Sequence, residues 1–215
     1  MKHILLLGAT GTAGSAITEK LLSDTDYHVT LFARHAGDQF SDRPRTTVVN
    51  GDAENMEDLK KAMQGQDVVY CAISGEALPQ IAENIVAAMS ACGVKRLIFM
   101  GAVGIYNEIP DEMDGEDNLD NEPAQMPNRQ AVDIVEASGL NCTVLRPGYL
   151  KEGEEKRLCP VRKRRTGERV YYDHSVPCET GPTAYFGRRP VCKRKRQHHA
   201  GCSIGERGSM KTRRL

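Results

Sequence analysis

The stretch Gly8-Ala9-Thr10-Gly11-Thr12-Ala13-Gly14 decides the fold that this sequence predicts. It follows the apolar run Ile4-Leu5-Leu6-Leu7, and after it Ile17 and Leu21 share one face of a helical pattern. The predicted order is therefore a buried strand, a tight glycine turn and a helix. This order makes the glycine spacing informative, because glycines at this spacing without a strand and a helix around them would be a weak signal.

The three glycines of this turn have different roles in a dinucleotide site. Gly8 can make the sharp bend, Gly11 lets the backbone approach a pyrophosphate, and Gly14 lets the helix pack close to the strand. The first amides of the helix have no acceptor within it and would face the anion. The alternative is a structural turn that holds no ligand.

The length of 215 residues allows one domain with a sizeable core, or one domain with an appendage. Basic and acidic residues balance at 29 each, but residues 1–150 carry 11 basic and 22 acidic residues, and residues 151–215 carry 18 and 7. The net charge of zero is therefore the sum of an acidic part, residues 1–150, and a basic part, residues 151–215. We predict an NAD(P)-binding domain over 1–150 and a basic tail over 151–215.

The sequence predicts a soluble, cytoplasmic protein that does not enter a membrane. The apolar run near the start is four residues long, and no run approaches the roughly 20 apolar residues of a membrane span. Cys71, Cys92 and Cys142 stand in apolar strand or helix patterns, which is typical of small core residues.

Five further stretches rich in apolar or β-branched residues indicate strands, at 27–33, 46–50, 67–73, 96–100 and 141–145. Helices are predicted after Asn55 as an N-cap, from about Pro79, and over 128–138. Strands that alternate with helices predict an α/β fold with a Rossmann-like, doubly wound parallel sheet. We expect the strand order 3-2-1-4-5-6, with the ligand crevice beside strands one and four.

Arg34 follows the second strand, where a dinucleotide fold places the residue that recognises the adenosine ribose. An acid at this position suits NAD, whereas a guanidinium can hold the 2′-phosphate of NADP through two parallel hydrogen bonds. The sequence therefore favours NADP, with NAD as the second choice. Alternatively, Arg34 is a solvated loop cation.

Asp52 stands at the end of the third strand. Its carboxylate could accept a hydrogen bond from the adenine amino group, or it could simply cap the following helix.

An acidic segment spans residues 107–127, which contain no basic residue. Such a charge run is typical of a solvated, mobile loop, and the alternatives are a lid over the site or a dock for the basic tail. Its acids are Glu108, Asp111, Glu112, Asp114, Glu116, Asp117, Asp120 and Glu122.

Four motifs carry a resemblance to a known family: the glycine turn, Asn50-Gly51-Asp52, Val94-Lys95-Arg96-Leu97-Ile98 and Thr143-Val144-Leu145-Arg146-Pro147-Gly148. Together they resemble atypical short-chain dehydrogenase/reductase proteins over residues 1–150, most closely the NAD(P)H-binding, NmrA-like group. The resemblance implies a Rossmann domain that holds NAD(P) at the glycine turn, the second strand tip and the third strand end. The implied cofactor-binding residues are Gly8, Thr10, Gly11, Thr12, Ala13, Arg34, Asp52, Ala53, Ala72, Ile73, Gly101, Ala102 and Pro147.

The catalytic pattern of those relatives matches less of this sequence. Active members commonly carry a Lys four residues after a Tyr that donates a proton to a carbonyl. Tyr106 is the nearest catalytic candidate, but Pro110 stands four residues later and residues 96–150 contain no Lys. Arg129 is a second candidate near the nicotinamide, although guanidinium is a poor proton relay. Gly101 stands where many relatives have a Ser, and Tyr106 could instead pack or line the substrate pocket.

The tail over 151–215 is poor in core-forming residues, because only eight of its 65 residues are Leu, Ile, Val or Phe. We expect a shifted reading frame or an otherwise altered segment. A weaker alternative is that the basic clusters of this tail bind the phosphates of a nucleic acid. A zinc site from Cys192, His198, His199 and Cys202 matches no standard spacing, so no metal is predicted.

Two functions are open to such a chain. The first is an NADPH-dependent oxidoreductase that acts on an unknown small molecule. The second is a non-catalytic NADP(H)-binding redox sensor or regulatory protein, which the missing Tyr-to-Lys spacing favours. A homodimer is compatible with both.

Overall fold

A computed structural model describes residues 1–109 and 115–147. Two 3₁₀ turns, Gly115–Asp117 and Pro123–Gln125, lie before the last helix. The strands and longer helices of the described residues are, in order, β1 (His3–Leu7), α1 (Thr12–Asp24), β2 (His28–Ala33), α2 (Ala36–Gln39), β3 (Thr46–Asn50), α3 (Met56–Met63), β4 (Val68–Cys71), α4 (Leu78–Cys92), β5 (Arg96–Met100), α5 (Met126–Ala137) and β6 (Asn141–Leu145).

The six strands form one parallel sheet in the order β3-β2-β1-β4-β5-β6, which confirms the predicted order. Leu7 at the end of β1 pairs with Phe32 on one side and with Cys71 on the other. Because all strands run the same way, their last residues lie along a single edge, which we call the carboxyl edge. The order reverses between β1 and β4, so a crevice is expected there.

Alternate side chains of β1 enter two different cores. Leu5 and Leu7 belong to a large cluster with residues of α3, α4 and α5, and Ile4 and Leu6 belong to a smaller cluster with Leu21 of α1. Both faces of the sheet are therefore covered by helices. This double burial explains why the strand is a continuous apolar run without polar alternation.

Several element boundaries differ from the prediction. Strands β2 and β4 are shorter than the apolar runs at 27–33 and 67–73. The four-residue helix α2 was not predicted. Helix α5 begins at Met126, before the expected start at residue 128, because Pro127 stands in its first turn, where proline is favourable.

Several sequence predictions fall outside the described residues. These are the domain boundary near residue 150, the basic tail and its alternative nucleic-acid and zinc roles. Within the described ranges 1–109 and 115–147, no three His, Cys, Asp or Glu side chains form a group that could hold a metal ion. No helix in the same ranges is both long and apolar enough to cross a membrane.

Candidate dinucleotide-binding site

The glycine turn has the geometry that its spacing predicts. Gly8 has a φ of +79°, and its N–H donates to the carbonyl oxygen of Phe32 at 2.9 Å. This left-handed backbone favours glycine, because a Cβ is strained there. At Gly14 a Cβ would lie only 2.1 Å from the carbonyl oxygen of Gly8. The first helix thus packs against the turn at a distance that only glycine permits.

The N-terminus of α1 opens directly from this turn at the carboxyl edge. Its N-cap is Gly11, which has no side chain to accept hydrogen bonds from the first turn of the helix. The first helical hydrogen bond runs from the N–H of Ser15 to the carbonyl oxygen of Gly11. The amides of Thr12 and Ala13 consequently lack an acceptor within the helix, and the first turn carries no acidic residue. Such an end attracts an anion.

Arg34 follows β2 directly and is exposed at the carboxyl edge. No ion pair joins it to any residue in the part of the chain that the structure describes. The neighbouring loop is ordered by a hydrogen bond from the N–H of Gly37 to Oδ1 of Asn50 at 2.9 Å, which ties α2 to the end of β3. A guanidinium is therefore available to a phosphate beside the tips of two strands.

Asp52 follows β3 and closes a tight local turn. Its Oδ1 accepts the N–H of Glu54 at 3.0 Å, and its own N–H donates to Oδ2 of Asp58 at 3.1 Å. The cap of α3 is Asn55, whose Oδ1 accepts the N–H groups of Glu57 and Asp58. The helix-capping role proposed as the alternative for Asp52 thus belongs to Asn55.

Ala53, next to Asp52, is buried, with 5% of its surface exposed. Its carbonyl oxygen accepts a hydrogen bond from Nδ2 of Asn84 on α4 at 3.3 Å. This contact joins the end of β3 to the helix that follows β4.

The tips of β4, β5 and β6 complete the edge next to the glycine turn. A Cβ at Gly8 would lie 3.0 Å from both the carbonyl oxygen of Ala72 and Cγ1 of Ile73, so these residues border the turn. Beyond β5, the N–H of Gly101 donates to Leu145 and the N–H of Val103 donates to the carbonyl oxygen of Pro147. Ala102 lies between these two contacts and packs against the larger core.

Gly101 has little room for a side chain. A Cβ at this position would lie 3.0 Å from Cγ2 of Val132, a buried residue of α5. Any side chain at this position, such as that of serine, would therefore require Val132 to move. The packing around Gly101 thus explains why a glycine stands here.

Tyr106 and Arg129, the two catalytic candidates, lie together. The Arg129 guanidinium carbon lies 4.2 Å from the centre of the Tyr106 ring, and that of Arg146 lies 5.0 Å from it. Both distances fall within the range of a cation–π contact. Arg146 was not predicted as a site residue, although it is part of the motif from Thr143 to Gly148.

The acidic segment is not wholly solvated, because Glu108 is buried and forms an ion pair with Arg146. Another of its residues, Asn118, is 7% exposed. Its side chain accepts from the N–H of Ile109 and donates to the carbonyl oxygen of the same residue, at 3.0 and 2.8 Å. The expectation of a solvated loop is thus wrong for Glu108. Asp111, Glu112 and Asp114 lie outside the described residues.

Of the three cysteines predicted as core residues, Cys71 is buried in the core, whereas Cys92 and Cys142 are partly buried and pack against it. Cys71 is fully buried, and this burial raises the pKa of its thiol to about 12. Burial also raises the pKa of Cys142, with the negative charge of Glu136 as a second cause. Neutral thiols are poor nucleophiles, so neither residue is suited to nucleophilic chemistry.

The fold and the edge together define a Rossmann-like domain with a dinucleotide turn. A family model described as NAD(P)H-binding matches residues 8–173, and the chain belongs to this family. A Rossmann-fold NAD(P)-binding family protein from Shigella flexneri is 34% identical, with 80% of each chain covered and a TM-score of 0.61.

Two further relatives extend the comparison. A short-chain dehydrogenase/reductase from Veillonella parvula, solved in complex with NADP, is 30% identical over 67% of this chain and 68% of that one, with a TM-score of 0.61. A 2-alkyl-3-oxoalkanoate reductase from Shewanella oneidensis is 31% identical over 110 residues, which are 46% of this chain and 28% of the relative. This chain therefore matches little more than a quarter of that reductase.

Proposed function

We propose that this protein is an oxidoreductase that binds NADPH in preference to NADH and reduces a small molecule. Three features that lie together at the carboxyl edge support this proposal. They are the glycine turn, the N-terminus of α1 without a side-chain cap, and the exposed Arg34. The turn and helix suit a pyrophosphate, and the arginine suits a 2′-phosphate. We also propose that the protein belongs to the NmrA-like group and that it is located in the cytoplasm.

The arrangement of the strands suits an extended dinucleotide. Neighbouring strands are about 4.8 Å apart, so β2 and β5, three places apart in the sheet, are separated by roughly 14 Å. The adenosine end would lie near Arg34 and Asp52, and the nicotinamide would lie near Ala72, Gly101 and Tyr106. The bound NADP of the Veillonella parvula relative supports this cofactor.

The residues present fit the cofactor in chemical type as well as in position. Nicotinamide, when bound, supplies a hydride. The chain contributes backbone donors at the turn, a carboxylate acceptor at Asp52 and a positive charge at Arg34. Ala72, Gly101 and Ala102 carry only a methyl group or a hydrogen at the ends of β4 and β5, where the nicotinamide would lie. The reductase activity named for the Shewanella oneidensis relative supports the same class of reaction.

The first test is the cofactor preference of Arg34→Ala. Loss of a charged hydrogen bond to phosphate costs about 1.5 to 3 kcal/mol, so the dissociation constant for NADPH should rise about 10- to 100-fold while that for NADH changes little. Titration of the protein into each nucleotide, followed by nucleotide fluorescence, measures both constants. Arg43→Ala is the matched control, because Arg43 is also exposed but precedes β3 at the opposite edge. Equal losses for both nucleotides would contradict the phosphate contact.

A non-catalytic NADP(H) sensor is the second candidate, favoured by the absence of a Lys four residues after Tyr106. Incubation with NADPH and a panel of aldehydes, ketones and quinones separates the two functions. Consumption of NADPH followed at 340 nm supports the enzyme. Tight binding without consumption of NADPH by any compound supports the sensor.

A further inference from the structure

Two histidines lie side by side at the edge of the sheet opposite the carboxyl edge, which we call the amino edge. His3 and His28 are the first residues of β1 and β2, and they are partners in the parallel register of this pair. Their ring centres are 5.2 Å apart, and both residues are half-buried. A ligand can therefore reach both imidazoles from solvent.

The two rings differ in how firmly they are held. Nε2 of His28 lies 2.8 Å from Oγ1 of Thr47 on β3. A metal-bound histidine commonly makes such a contact with its second nitrogen, because the contact fixes the ring and leaves the other nitrogen for the metal. The ring of His3 forms no hydrogen bond within residues 1–109 and 115–147, so it is free to rotate about its Cβ–Cγ bond.

Two polar side chains beside the histidines suit a cation and its water. Oδ2 of Asp67 accepts the backbone N–H of His3 at 2.8 Å, which places a negative charge next to the pair. Gln66 donates through Nε2 to Oγ1 of Thr30, two residues after His28 and on the same face of β2, at 3.0 Å. The Oε1 atom of Gln66 is buried and has no donor among the described residues. A buried acceptor without a donor is costly, and a water molecule on a metal ion supplies one.

The spacing of the rings fits a zinc ion. Two Zn–N bonds of about 2.0 to 2.1 Å at a tetrahedral angle place the ring centres about 5 Å apart, close to the observed 5.2 Å. The ring planes are inclined by 28°, so chelation requires the ring of His3 to turn toward Nδ1 of His28. Imidazole nitrogen favours zinc over magnesium and calcium, which favour oxygen ligands.

We propose that His3 and His28 chelate one Zn²⁺ ion at the amino edge and that this ion ties β1 to β2. Water completes the coordination, because the pair supplies two of the four ligands of a tetrahedral ion. Oε1 of Gln66 accepts a hydrogen bond from such a water. The site lies at the edge opposite the glycine turn and does not depend on the proposed oxidoreductase function.

The experiment measures the thermal midpoint of the full chain, first freed of metal with EDTA, at rising concentrations of ZnCl₂. An ion that binds only the folded sheet should raise the midpoint by roughly 5 to 10 °C at 100 times its dissociation constant. MgCl₂ at the same concentrations should give no shift. In His3→Gln and in His28→Gln, the dissociation constant for Zn²⁺ obtained from the shift should rise by about tenfold or more, and in Thr47→Val by about tenfold. Each variant is compared with and without ZnCl₂, so a loss of stability from the substitution itself does not enter the shift.

Two control variants separate this site from other histidines of the chain. His198→Ala combined with His199→Ala removes two histidines of the alternative zinc cluster in the tail, and His35→Ala removes an exposed histidine beyond β2 at the carboxyl edge. Both variants should keep the full Zn²⁺ shift. A midpoint that does not respond to ZnCl₂ would overturn the proposal. A shift that is retained in His28→Gln and lost in the tail variant would also overturn it, because the zinc would then bind in the tail.

Discussion

Gly14 and Gly11 are separated by less than one helical turn, yet their missing side chains have different consequences. A Cβ at Gly14 would collide with backbone, whereas a Cβ at Gly11 would make only an ordinary contact, 3.5 Å from the carbonyl oxygen of Gly8. Gly11 has a φ of −73° and a ψ of 165°, which any residue can adopt. Packing therefore requires glycine at position 14 but not at position 11, where the proposed pyrophosphate contact is the reason for a missing side chain.

This difference predicts opposite phenotypes for two alanine variants. Gly14→Ala should lower the free energy of unfolding by about 1 to 3 kcal/mol, because the helix must move away from the turn. Gly11→Ala should lower the free energy of unfolding by less than about 1 kcal/mol, because it changes only the N-cap, but should weaken NADPH binding more than tenfold, because its methyl group occupies the approach of the pyrophosphate. Urea denaturation and fluorescence titration measure the two effects. Unchanged NADPH affinity in Gly11→Ala would show that the nucleotide does not lie against this turn.

Cys71 predicts a dependence of stability on pH. Its pKa is raised from 9.0 to about 12 in the folded protein, so above about pH 9 the unfolded chain loses a proton that the folded chain keeps. Stability from this thiol is fully present below pH 9 and is lost as the pH rises, by about 1.4 kcal/mol per pH unit between these two pKa values. Denaturation at pH 8 and pH 10 should show a larger decrease for the unsubstituted protein than for Cys71→Ala. Equal decreases would contradict the burial of a neutral thiol.

Among the elements, α3 shows how a short segment is fixed by its first residue. Asn55 accepts two backbone N–H groups of the first turn, and the acids Glu57 and Asp58 stand where the helix dipole favours them. The same turn fixes the position of Asp52 beside the site. A local signal of this kind is visible in the sequence, and Asn55 was predicted as the cap.

Replacement of this cap should weaken the helix by a known amount. Asn55→Ala should lower the free energy of unfolding by about 1 kcal/mol, because two N–H groups lose their acceptor. Asn55→Asp supplies the same acceptor and serves as the control. Urea denaturation measures both variants, and a decrease of the same size in Asn55→Asp would argue against the capping role.

Strands and helices were predictable where the pattern is local and long. The bounds of β3, β5 and β6 agree with the predicted stretches, because β-branched or apolar residues predominate in these strands and turn residues limit them. Helix α2 was missed because four residues are too few to show a periodicity. The contact between Glu108 and Arg146 was also missed, because it joins residues 38 positions apart and no spacing rule predicts such a pair.

For the whole molecule, ligand binding should increase stability by mass action. The proposed cofactor contacts come from segments between Gly8 and Pro147 that are distant in sequence, so the unfolded chain cannot reproduce them. NADPH at 100 times its dissociation constant should add about 2.7 kcal/mol, which corresponds to a rise in thermal midpoint of roughly 5 to 10 °C. Differential scanning fluorimetry measures this shift. Gly11→Ala should show little shift at the same concentration, and a flat response of the unsubstituted protein would contradict a folded NADPH site.

The parallel sheet also has a consequence for the order in which the site can form during synthesis. A chain leaves the ribosome from its N-terminus, and the segments proposed to bind the adenosine end, at the tips of β1, β2 and β3, all lie within residues 1–53. The β5–β6 pairing joins residues about 45 positions apart, from Arg96 with Asn141 to Met100 with Leu145. Such long-range parallel pairing is slow to form. The part of the proposed site at the tips of β1, β2 and β3 can therefore form before β6 pairs with β5 and completes the part around Tyr106.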